Sequence, residues 1–318
     1  MTRHRRHSLW VVSQFLLACA AVWMVLEVLN HRLAYVHAGS DLIYQLKSER
    51  LARARIFGGA TPYRVVVMGN SRALSTFRPE SFDAVFDGRT RSFNFGLPGD
   101  ARFLPLLKKL LASGNRPTHV LLQEPWQTHD DPAVQVPWFK DDLWVVDTLL
   151  PFRKLPRDAT LFAFQSLDGG FARQWDLAHA EVDGVVVHRG WYFIRAQSHY
   201  AHDALPADFT LPSDTPGQMS ARDTRPLGSQ YDELRELART YGFRVLVIPH
   251  ALRAHEVSDV ADGGLQVLER APYIATIGPL YWRLPNADFS DPIHTNQVGS
   301  EVYTRRLAAL LGTTGEFR

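Results

Sequence analysis

The chain has 318 residues, 46% hydrophobic and 21% charged, a composition that supports a packed core and excludes a disordered or low-complexity protein. Its 35 Lys+Arg against 33 Asp+Glu leave a net charge of +2, too balanced for a protein that binds nucleic acid by neutralising many phosphates. The single cysteine, Cys19, excludes an intramolecular disulfide and a thiolate zinc cluster.

Residues 1–7 form a basic tail carrying Arg3, Arg5 and Arg6, and an apolar stretch follows over 9–26, broken only by Ser13 and Gln14. About 18–20 apolar residues at ~1.5 Å each just cross a ~30 Å hydrocarbon layer, so a transmembrane anchor is predicted over 8–29. Trp10 and Trp23 lie near its ends, and arginines before it with Glu27 after it place the N-terminus in the cytoplasm. The remainder is then expected on the periplasmic side of the inner membrane. Ala18-Cys19-Ala20 also offers a signal-cleavage site, and Leu16-Leu17-Ala18-Cys19 resembles a lipoprotein box. The apolar run continues to Leu26, which favours an uncleaved anchor; either route exports the domain.

Residues 30–60 read as a juxtamembrane helix and linker, with an amphipathic helix over 41–56 ended by Gly58-Gly59. Pro62 introduces the β-branched run 63–68, bounded by Gly69, which predicts a fully buried strand. Further strands are predicted over 91–95, 118–123 and 243–248, and helices over 104–113, 234–241 and 302–311, the last with Gly312 just past its end. Strands alternating with helices over short connections predict an α/β domain over 61–318 with a parallel sheet covered on both faces. The stretch 130–225 lacks that rhythm and holds four of the eight tryptophans; it reads as a long insertion shaping one end of the sheet.

Two clusters carry candidate chemistry. Gly69-Asn70-Ser71-Arg72 follows the first strand, at the end of the sheet where doubly wound folds bind ligands. Backbone N–H groups around a serine on such a turn are placed to stabilise an oxyanion. About one Gly-x-Ser arises by chance in such a chain, and a helix N-cap serine is the plain alternative. Asp291-Pro292-Ile293-His294, just before the last helix, spaces a carboxylate and an imidazole so that one orients the other. A loop turn with a surface histidine is the plain alternative there, and Asp176-Leu177-Ala178-His179 is a chance match to the same spacing. Together, Ser71, His294 and Asp291 fit a nucleophile, a base and its orienter.

On these residues the chain resembles the SGNH (GDSL-like) hydrolase superfamily, over 63–311 with the insertion unmatched. More narrowly it resembles the membrane-anchored bacterial branch that includes the alginate O-acetylation proteins and the D-alanine transfer protein of teichoic-acid modification. The resemblance implies a three-layer, flavodoxin-like sandwich with Ser71 as nucleophile. It aligns Gly99, in Asn94-Phe95-Gly96-Leu97-Pro98-Gly99-Asp100, with an oxyanion donor beside the Ser71 N–H. The family's last block is Asp-x-x-His-x-Asn followed by Gly, matched by Asp291, His294, Asn296 and Gly299. One block departs: where the family presents an asparagine after the third strand, this chain has Gln123-Glu124-Pro125-Trp126-Gln127. Gln123 or Gln127 could donate there instead. An incomplete oxyanion hole costs ~10²–10³ in rate, which suits an enzyme dedicated to a positioned acyl donor.

Arg72 stands ready for a substrate carboxylate or for a salt bridge. His250, after Pro249 at a strand end, and Gln127 are candidate substrate contacts. The remaining histidines show no metal-ligand spacing, and the implied chemistry needs no cofactor. The expected function is acyl transfer, most simply of acetyl, to an exported polysaccharide, with a multispanning membrane acyl donor as partner. The alternatives are an esterase with the same triad, or a binding or assembly protein that keeps the fold without turnover.

Overall fold

The computed structural model describes residues 3–37, 39–58, 61–98, 103–124, 146, 149–192, 200–212, 214, 231–254, 256 and 267–317. Its longer helices are α1 (Arg3–Arg32), α2 (Gly39–Leu46), α3 (Ser71–Thr76), α4 (Pro79–Val85), α5 (Phe103–Ala112), α6 (Leu155–Gly169), α7 (Phe171–Val187), α8 (Asp232–Tyr241) and α9 (Gln297–Thr314). The strands are β1 (Tyr63–Met68), β2 (Thr90–Asn94), β3 (His119–Leu122), β4 (Arg244–Val247), β5 (His250–Arg253), β6 (Val267–Ala271), β7 (Ile274–Ile277) and β8 (Tyr281–Leu284). Contacts divide the chain into two units: Met1–Leu42 with Asp142–Val182, and Ile43–Asp141 with Asp183–Arg318. Part of the stretch read as an insertion thus clusters with the N-terminal residues.

In the first unit, the span Leu9–Arg32 of α1 is long and apolar enough to cross a membrane, and none of its most apolar window is buried. Beyond it, the turn Ala34–Val36 meets α6 and α7. Val36, Phe162 and Ala178 form a small core edged by Leu33, Tyr35 and Trp175. His37 Nδ1 lies 2.9 Å from Asp158 Oδ2, and Arg157 donates to the other oxygen, so a buried carboxylate is paired twice.

In the second unit, the β-branched run of β1 becomes the second strand of a six-stranded sheet, ordered β2-β1-β3-β4-β7-β6, with β2 on one side of it and β3 on the other. All neighbouring pairs are parallel except β6 with β7. Val66 and Met68 point into one core with the leucines of α5 and with Leu234 and Ala238 of α8. Val65 and Val67 point into another with Ala73, Phe82, Tyr303 and Leu307 of α3, α4 and α9. A strand buried on both faces reads as one unbroken apolar run because neither set of side chains meets water. The chain order reverses between β1 and β3, and the carboxyl ends of strands at such a switch point are where doubly wound sheets bind ligands.

Two expectations are corrected. The helix expected over 41–56 is α2 followed by a π-helical turn, Lys47–Leu51, in which the Lys47 side chain is turned wholly inward. The last helix begins at Gln297 and ends after Thr314, with Gly315 in the left-handed conformation, so Gly312 lies inside it. Asn296 sets the earlier start by accepting a hydrogen bond from Gly299 N.

Candidate active site

Ser71 is the first residue of α3, entered directly from β1 through Gly69 and Asn70. The turn is tight because Gly69 has no side chain: a Cβ there would lie 2.5 Å from the Ala73 Cβ and 3.1 Å from the Gln123 carbonyl. Asn70 closes it, its Oδ1 accepting from Arg72 N at 2.9 Å. The first N–H groups of a helix lack intrahelical acceptors, and on this turn the Arg72 N–H is taken by the Asn70 side chain. At the other end of α3, Asn94 donates from Nδ2 to the carbonyls of Ala73, Leu74 and Phe77, at 2.9, 3.1 and 2.8 Å. Its Oδ1 accepts from Gly96 N, so one buried side chain ties β2 to the far end of the Ser71 helix.

The second element is the loop between η-turn Asn286–Asp288 and α9. Asp291 Oδ2 lies 2.7 Å from His294 Nδ1, while Oδ1 accepts from the backbone N–H groups of Ile293 and His294, both at 2.8 Å. Burial by itself pushes the Asp291 carboxyl up. The His294 hydrogen bond and charge, with those two N–H groups, outweigh it and hold the carboxyl below its ordinary value. His294 is itself buried, and its Nε2 has no hydrogen-bond partner among the described residues. An imidazole fixed through Nδ1 with Nε2 uncommitted is the arrangement a general base needs.

Polar contacts join the two elements. Thr295 Oγ1 meets Thr76 Oγ1 at 3.3 Å, at the end of the helix that Ser71 begins, about 7.5 Å along its axis. Arg72 Nη2 pairs with Glu256 Oε1 at 2.7 Å, and Glu256 Oε2 accepts from Arg253 N at 3.3 Å. Arg253, nearly inaccessible to solvent, donates from Nε to the Pro292 carbonyl at 2.7 Å and pairs with Asp214 through both terminal nitrogens. The serine turn and the Asp-His loop therefore share one network. No hydrogen bond links Ser71 Oγ to His294 Nε2 among the described residues.

The other candidates fall as follows. Arg72 is in a salt bridge with Glu256. His250 is buried on β5, its N–H donating to Leu280 O. Gln123 is buried, and its Nε2 donates to Pro249 O at 3.3 Å, the carbonyl that also receives the Tyr303 hydroxyl. Glu124 is buried in a pair with Arg270 and accepts from the Tyr231 hydroxyl. Gly99 and Gln127 lie outside the described residues. Sequence reasoning missed Asn94, Arg253 and Glu256, which hold the two elements; as isolated polar residues they break no periodicity that would single them out. No family model matches this chain, and neither a curated protein nor a solved structure matches it.

Proposed function

We propose that the chain is an SGNH-type serine acyltransferase, anchored in the inner membrane by α1 with its α/β unit in the periplasm. The observation that carries the reading is the Asp291–His294 pair with a buried, unpartnered Nε2, in the same network as the Ser71 turn. Ser71 Oγ attacks the acyl carbonyl while His294 Nε2 takes its proton. Asp291 steadies the imidazolium, and the N–H groups of Ser71 and Gly99 receive the oxyanion. The proton returns to the leaving group, which departs from a membrane acyl donor. A polysaccharide hydroxyl then attacks the acyl-serine, losing its proton to His294 and restoring Ser71. With water in that role, the same residues make an esterase.

The absence of a Ser71–His294 hydrogen bond favours a second reading, a non-catalytic binding protein on the same fold. A serine-reactive fluorophosphonate probe separates them: labelling at Ser71 that is lost in His294→Ala supports the enzyme. A folded protein that never labels at Ser71 supports the binding protein. An activated acetyl ester supplied with oligosaccharide acceptors then divides transfer from hydrolysis, because only transfer yields acetylated sugar.

A further inference from the structure

In the first unit, α6 buries one face and leaves the opposite face apolar. Leu155, Asp158 and Phe162 point inward. Leu161, Phe164 and Leu167 lie on the other side, with Phe164 64% and Leu167 78% exposed, while Phe171, the first residue of α7, packs on Phe162 and Trp175. Residues 159–167 contain no charge. A helix that is apolar on its solvent side as well as its core side needs a cover.

What covers it is indicated by what precedes it. Leu149 and Leu150, both exposed, run into Phe152, whose ring meets the edge of Trp23 at 6.2 Å. Trp23 Nε1 donates to the Leu149 carbonyl at 2.5 Å. Trp23 is within the apolar span, nine residues before its end at Arg32, or about 13 Å along the helix. Further out, Tyr35 packs on Phe162 and Trp175, so the same hairpin is also fastened just beyond the span. An element tied to a spanning helix at that depth, with unpaired leucines and phenylalanines facing outward, meets acyl chains and headgroups in preference to water.

We propose that residues 149–171 form a second membrane contact, a monotopic apolar face seated in the bilayer beside α1, with the Leu161–Phe164–Leu167 stripe on the lipid. The proposal rests on the reading of α1 as a membrane span. It adds that the part of the first unit outside the span is held against the bilayer surface by its own side chains.

The test uses full-length protein in vesicles of phosphatidylethanolamine and phosphatidylglycerol, with nitroxides read by collision with oxygen, which enters lipid, and with a water-soluble nickel chelate. One sample is labelled at native Cys19, inside the span. Others carry Cys19→Ser with a single new cysteine at Leu150, Phe164, Leu167 or, as an aqueous control, Thr240. Because the stripe positions are exposed, their labels leave the core intact, and circular dichroism checks the fold. Expected are oxygen-dominated collisions at Cys19, Phe164 and Leu167, with Leu150 deepest of the three new sites and Thr240 nickel-dominated. Lipid exposure at Cys19 with nickel-dominated Phe164 and Leu167 would overturn the proposal alone. Nickel-dominated Cys19 would overturn the span and the proposal together. Dipolar broadening at Leu167 that vanishes on dilution with unlabelled protein would assign the face to a second copy, and so also overturn it.

Discussion

His294 Nδ1 and Asp291 Oδ2 are 2.7 Å apart in a loop whose other carboxylate oxygen takes two backbone N–H groups, so Asp291 is committed as an ion on both sides. Its carboxyl titrates lower in the folded protein than in the unfolded chain, where the ordinary value is about 3.9. The unfolded state therefore binds the proton first as pH falls. The ion contributes stability above about pH 4, and that contribution is lost as pH drops through the folded value. Asp291→Asn should be less stable than the parent at pH 7 by about 1–3 kcal/mol. Its urea midpoint should fall less steeply between pH 5 and pH 3, and parallel slopes for the two proteins would show that the carboxylate is not held as described.

Arg253 acts on the same loop from outside it. Its guanidinium is paired with Asp214 and donates to the Pro292 carbonyl, in a place where an unpaired charge has no water to turn to. Breaking such a buried pair costs about 3–5 kcal/mol, whereas replacing both partners by apolar residues is often neutral. Asp214→Asn should therefore lower the thermal midpoint more than the double variant Asp214→Leu, Arg253→Met. The double variant, folded but without the Pro292 hydrogen bond, should label more slowly at Ser71. Equal labelling rates would separate Arg253 from the positioning of His294.

Some of this was legible in the residues and some was not, for physical reasons. The run Val65-Val66-Val67-Met68 announced a strand buried on both faces, and these four residues are inaccessible to solvent on a strand flanked by β2 and β3. The Asp291–His294 spacing announced a hydrogen bond, and it forms. By contrast, β5 and β8 are four residues each and pair only with one another, too short for a period to show. The start of α9 at Gln297 was hidden because Gly299 and Ser300 carry no apolar signal. Gly299 sits where a Cβ would lie 2.1 Å from the Asp288 carbonyl, so that first turn is defined by tertiary contact rather than by amphipathicity. Lys47, Arg253 and Asn94 are polar residues turned inward, and only the partners they meet in space explain them.

Asn94 gives the clearest case of such a partner set. Its amide donates to three carbonyls at the end of α3; those of Ala73 and Leu74 also accept from the N–H groups of Phe77 and Tyr192, so the Phe77 carbonyl depends on it most. Asn94→Ala should destabilise the protein by about 2–3 kcal/mol, since leaving a buried acceptor unmet costs about 1–3 kcal/mol. Asn94→Asp should be worse, because it turns a carboxylate oxygen toward those carbonyls. Denaturant midpoints for the two variants in the order Ala below Asp would contradict the assignment of Nδ2 as the donor to α3.

Lys47 makes the last prediction, and its sign differs from that of Asp291. The side chain is fully buried on the π-helical turn, and its Nζ donates at 2.5 Å to the Gly96 carbonyl. Burial disfavours the ammonium and pushes the amine well below the ordinary lysine value, with no opposing charge among the causes. Between that lowered value and about 10.4, where the unfolded lysine titrates, the unfolded chain holds more protons than the folded one. Stability therefore rises with pH across this window and levels off above it. Lys47→Met keeps the volume and removes the amine; it leaves the Gly96 carbonyl without that donor but also removes the cost of taking a charge out of water. The second effect is the larger at pH 7, since holding a buried amine neutral there costs about 1.4 kcal/mol for each unit by which burial lowers its pKa. The variant should be the more stable protein at pH 7, and its advantage should shrink steadily toward pH 10. An advantage that is constant over pH 7–10 would mean that Lys47 carries the same proton in both states, and the buried neutral amine would have to be abandoned.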